Sequence, residues 1–102
     1  MKVLTVIIHT NIQQHLSDLL RTLQPVSGFT FTHVEGHGVE VEKDSFTSAH
    51  DVAVGYIPRI RTDILLNDED VDTVLAALRS KEIGLIGQSF YWVSDADKGG
   101  QL

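Results

Sequence analysis

Two short apolar stripes constrain what this chain can fold into. Ile12, Leu16, Leu19, Leu20 and Leu23 recur at helical spacing, and so do Val71, Val74, Leu75 and Leu78. Each stripe runs along an otherwise polar helix and must be buried against another element. The segments around them read as strands. KVLTVIIH, Lys2 to His9, is short and rich in β-branched residues, which suits a strand inside a sheet. From Phe29 to Glu35, Phe29, Phe31 and His33 alternate with Thr30, Thr32 and Val34. A third strand is expected from about Val52 to Leu66, with Ile60, Ile64 and Leu66 on one face. Pro58 inside it implies an edge position or a bulge at its start. Ser89 to Val93 is a short aromatic strand. The punctuation agrees: Thr10 or Asn11 is placed to cap the first helix, Pro25 ends it and Ser27-Gly28 turns the chain. Asn67 is placed to cap the second, with Asp68, Glu69 and Asp70 at the positive end of its dipole. The tail from residue 94, ending DADKGGQL, reads as loose.

The order is β-α-β, a long connection, then β-α-β. This predicts an α+β fold, a ferredoxin-like split βαβ sandwich (βαββαβ) with a four-stranded antiparallel sheet and two helices on one face. A three-layer parallel sheet would need more strands. With 102 residues the chain makes one domain. The helices leave one sheet face bare. Phe29 and Phe31 on the second strand and Tyr91 and Val93 on the fourth would make such a face adhesive, which predicts self-association.

Composition narrows the function. A net charge of −6 opposes nucleic acid or anionic membrane as the main partner. The absence of cysteine excludes disulfides, thiolate zinc sites and cysteine nucleophiles. The apolar run Val3 to Ile8 is too short for a signal core, and nothing approaches the ~20 apolar residues of a membrane span. A soluble cytoplasmic protein is expected. Between the second and third strands, Gly36 to Asp51 far exceeds the ~2–6 residues usual for such a connection. Long connections of this kind tend to carry function, so the strand is expected to leave the sheet at Gly36 as a projecting loop, 36–51.

This organisation resembles the PII signalling superfamily, which has the ferredoxin-like fold and a long loop between its second and third strands. Gly36-His37-Gly38 stands where PII proteins carry a Gly-x-Gly at the base of that loop. IPRIRTDILLND, Ile57 to Asp68, looks like the Pro-basic-x-basic strand that follows it, and Ile86-Gly87-Gln88 before FYWV resembles the turn into the last strand. GFTFTHVEGHG, SAHDVAVG and YWV are most similar to an uncharacterised PII-like subfamily encoded near heavy-metal efflux pumps. There are departures. Nucleotide-binding PII proteins have a lysine where Gln88, Ser89 and Phe90 follow Gly87, and a basic C-terminal arm where this tail offers Lys98. No tyrosine lies between Gly36 and Asp51, and Tyr56 stands where the efflux-associated subfamily has arginine. The resemblance implies a homotrimer binding a small effector between subunits and docking the 36–51 loop on a partner such as a membrane transporter or efflux pump component.

Candidate ligand-binding residues are Gly36, His37, Gly38, Arg59, Arg61, Gly87 and Gln88. Gly36 and Gly38 permit positive φ and an anion nest, or simply end a strand. Arg59 and Arg61 alternate onto one strand face and suit phosphate or carboxylate, or pair with the excess acids. Candidate metal ligands are His33, Glu35, His37 and His50, with Asp51 beside His50. Imidazole with carboxylate suits Zn, Ni, Cu or Co. The plainer alternative makes them cross-strand, turn and exposed residues, since on an extended strand His33 and His37 stand roughly 13 Å apart. The residues name no cofactor; the resemblance admits an adenine nucleotide and the histidines a divalent transition metal. No catalytic group is expected: His9-Thr10-Asn11 lacks the Gly-rich, Arg-containing loop of acylphosphatase-like enzymes, and Ser45, His50 and Asp51 do not form an oriented triad. The leading expectation is a PII-like regulatory protein. The alternative is a CutA-like metal-binding protein in metal tolerance.

Overall fold

A computed structural model describes residues 1–37, 56–80, 83–85, 87 and 89–102. Strand β1 (Lys2–His9) leads through a 3-10 turn (Thr10–Ile12) into helix α1 (Gln13–Thr22). Strands β2 (Thr30–Gly36) and β3 (Ile57–Leu66) follow, then a second 3-10 turn (Asp68–Asp70), helix α2 (Val71–Leu78) and strand β4 (Phe90–Asp95). The sheet order is β2-β3-β1-β4, with every pair antiparallel. This is the expected ferredoxin-like α+β sandwich.

The register says which residues share a face, because directly opposed side chains point the same way. Leu4 faces Ile64 and Val93, Val6 faces Thr62 and Tyr91, and Ile8 faces Ile60. This face is the core. Leu4, Ile8, Ile60 and Ile64 are fully buried with Leu16 and Leu20 of α1 and Val74 of α2. The helical stripes therefore bury where their spacing requires. Phe31 faces Thr62, so it belongs to this same side, and Phe29 and Phe31 pack edge-on at 5.4 Å against the core cluster. The expectation of a bare face carrying Phe29, Phe31, Tyr91 and Val93 is thereby corrected. The open face instead carries Phe90 and Trp92, opposed to Ile7 and Thr5.

Three local expectations also change. Pro58 lies in an interior strand, but the β1 pairing with β3 stops at Arg59, so Pro58 faces a partner on the β2 side alone. Its missing N–H thus falls where one edge of β3 is open. Neither helix has a side-chain cap: Asn67 stands at the N-cap position with extended backbone, and its carbonyl accepts the Asp70 N–H at 3.0 Å. Thr10 and Asn11 lie inside the 3-10 turn, where a side-chain cap has no role. At the C-terminal end, Ser94 and Asp95 continue β4, the Ala96 N–H donates to the Met1 carbonyl at 3.0 Å, and Gly99 lies against Leu65. The tail is tied to the sheet where its composition suggests a loose end.

Candidate functional site

The open face is built by alternation. Arg59 and Arg61 project from β3 on the side away from the helices, opposed by His9 and Ile7 of β1 and by Val34 and Thr32 of β2. At the end of β2 they meet Gly36 and His37 in a cleft of about 530 Å³, completed by Ile7, Val34, Phe90 and Trp92.

Each charged group there has a fixed neighbour. Arg61 Nε donates to both oxygens of Asp63, at 3.0 and 3.3 Å. The hydroxyl of buried Thr5, on β1 opposite Asp63, donates to Asp63 Oδ1 at 2.7 Å. The Arg61 guanidinium also lies 5.6 Å from the Trp92 ring centroid, a cation–π distance. Asp63 engages the inner nitrogen of Arg61, and the two Nη groups make no hydrogen bond among the described residues. They form a fork of the kind that binds carboxylate or phosphate in bidentate fashion. Arg59 is 5% exposed and runs across Gly36: a Cβ at Gly36 would sit 2.8 Å from Arg59 Cγ and 3.2 Å from the Ile57 carbonyl oxygen. Gly36 does not have positive φ, so the nest geometry expected of it is absent. The glycine matters because it leaves room for the arginine. His37 contacts Glu35 Oε2 at 3.4 Å and stacks obliquely on Tyr56, with ring centroids 5.7 Å apart.

Of the expected ligand-binding residues, Gly36, His37, Arg59 and Arg61 come together in this cleft. Gly87 does not. It sits in a left-handed turn, φ 78°, on a neighbouring cleft across β4. Gly38 and Gln88 lie outside the described residues. Among the metal candidates, Glu35 and His37 are adjacent, while His33 faces Ile60 on the helix side of the edge strand. His50 and Asp51 lie outside the described residues, as does most of the expected loop, 36–51; Gly36 itself is the last residue of β2. No group of three His, Asp or Glu side chains placed to hold a metal ion occurs among the described residues. Sequence reasoning missed Thr5, Asp63 and Trp92. The Arg61-x-Asp63 spacing, which puts opposite charges on one strand face, was the available signal.

The sheet order and the two helices on one face define a small ferredoxin-like α+β protein. Within it, the chain belongs to the family described as protein of unknown function (DUF3240), which matches residues 1–102. Distant relatives are PII proteins. A nitrogen regulatory protein P-II 2 of Methanothermobacter thermautotrophicus is 32% identical over 70% of this chain, and the match spans 63% of that protein's length. A nitrogen regulatory protein P-II of Rhizobium meliloti is 26% identical over 81% of this chain and 77% of its own. The crystal structure of a DUF3240 family protein from Shewanella baltica superposes with a TM-score of 0.76 at 21% identity, covering 99% of this chain and 94% of that one. That likeness establishes the fold. No described helix is long and apolar enough to cross a membrane.

Proposed function

We propose that this is a PII-like regulatory protein that works by binding rather than catalysis. A small anionic effector enters the open-face cleft, and the 36–51 loop, rooted at Gly36 and His37, carries the response to a partner. The observation that carries this reading is the Arg61 fork, oriented by Asp63, Thr5 and Trp92 beside Arg59. Two arginines converging on one face of a chain of net charge −6 favour an anion there. The distant P-II relatives, named as nitrogen regulatory proteins, support the regulatory role; a trimer in the cytoplasm belongs to the same proposal. In such a trimer the exposed aromatics of β4, Phe90 and Trp92, lie between subunits. A membrane transporter is the partner class this reading implies. Among the described residues the Glu35–His37 pair supplies two metal donors, one fewer than a protein-held site needs, so metal binding through the loop-base histidines ranks second.

Titration calorimetry with ATP, ADP and AMP, and separately with Zn²⁺, Cu²⁺ and Ni²⁺, tests this. The reading expects an anionic ligand to bind, with affinity about tenfold or more lower in Arg61→Gln and retained in the His33, His37 and His50→Ala triple variant. Silence toward every anion, with metal binding that the triple variant abolishes, would replace it with the metal reading.

A further inference from the structure

A second cleft lies on the helix side of β4, against the end of α2, with a volume of about 270 Å³. Its walls are apolar: Val6 of β1, Leu75 and Leu78 of α2, and Leu85, all under 9% exposed. Three polar side chains line it: Arg79, Ser89 and Tyr91. Arg79, just past α2, is held in place because its Nη2 donates to the Tyr91 hydroxyl at 3.3 Å and its guanidinium lies 5.7 Å from the Tyr91 ring centroid. No carboxylate pairs with Arg79 among the described residues. Ser89, just before β4, has a buried hydroxyl with no hydrogen-bond partner among the described residues. Folded proteins seldom leave such a group unmet, and Ser89 lines the cleft.

An apolar chamber with one fixed cation and one unsatisfied hydroxyl orients a ligand with an anionic head and an apolar body. A cavity of about 150 Å³ holds benzene, so 270 Å³ accommodates one ring carrying a short acidic side chain. We propose that this cleft binds a small monocarboxylate with a single-ring or branched aliphatic body. Its head lies between Arg79 and Ser89, and its body lies on Leu75, Leu78 and Leu85. The site is distinct from the open-face cleft: β4 separates them, and Phe90 and Tyr91 border both.

Methyl NMR titration of the full chain with phenylacetate tests this, with phenethyl alcohol and phenethylamine as neutral and cationic controls. The expected result is a dissociation constant of about 1 mM or tighter, with shifts at Leu75, Leu78 and Leu85, and at least about tenfold weaker binding of both controls. Arg79→Gln should weaken phenylacetate about tenfold. Ser89→Ala should weaken it a few-fold without lowering the melting temperature of the ligand-free protein, since no hydrogen bond is lost. The proposal is overturned by an absence of shifts up to about 20 mM, by equal binding of the alcohol, or by shifts confined to Ile7 and Val34 of the other cleft.

Discussion

At Gly36 a missing methyl group decides where Arg59 lies. The contact a Cβ would make is with Arg59 Cγ, near the root of that side chain, and with backbone at Ile57, so neither neighbour yields easily. Gly36→Ala should therefore cost about 1–3 kcal/mol by overpacking. Gly28→Ala, with nothing within 4 Å, should change stability by about 0.5 kcal/mol or less; urea denaturation of the pair reads the difference. Thr5→Val leaves Asp63 without its buried hydroxyl donor. It should cost about 1 kcal/mol and also weaken any open-face effector, because Arg61 loses the support behind its partner. Two surface ion pairs make stability depend on pH at the acid and alkaline ends. The Asp68 carboxyl is held below its ordinary value of 3.8 chiefly by a hydrogen bond from the N-terminal amine, 2.8 Å away, and by the charge of that amine. Its contribution is thus complete above that ordinary value and disappears as pH falls through the lower folded one. Lys2 is raised above 10.5 by its hydrogen bond to Asp95 and by that carboxylate's charge. Its contribution persists up to that ordinary value and is lost as pH rises through the higher folded one. Melting temperatures of Asp68→Asn and wild type should accordingly differ at neutral pH and converge in strong acid.

Among the elements, β1 and the two helices were legible because a single signal decided each: β-branched density for Lys2–His9, helical spacing for α1 and α2. The faces of β2 and β4 were not. Alternation alone says that Phe29 and Phe31 share a side, but only pairing of Phe31 with Thr62 says that this side meets the helices. The same limit hid Trp92, whose role depends on lying across β1 from Asp63, and the Arg79–Ser89 cleft, which exists only once α2 packs beside β4. Of the open-face site, the residues contiguous with the glycine or alternating on β3 could be read; the partners that orient them come from other strands. Ile64 tests the element account. It is fully buried opposite Leu4, so Ile64→Ala should cost about 2–5 kcal/mol. Trp92→Ala, on a strand exposed along its whole length, should cost far less stability while reducing open-face affinity.

At the scale of the whole molecule, one sheet separates two kinds of surface. The helix side holds the apolar core. The open side gathers Arg59, Arg61 and exposed aromatics in a chain whose net charge is −6. In the proposed reading that asymmetry is the binding platform, beside Gly36 and His37. The central claim is that occupation of the open-face cleft is felt along the 36–51 loop. Amide hydrogen exchange across residues 38–55, with and without the anion that calorimetry selects, tests it most directly. The account predicts slower exchange there in wild type and no slowing in Arg61→Gln at the same anion concentration. Unchanged exchange in wild type under saturating anion would contradict it.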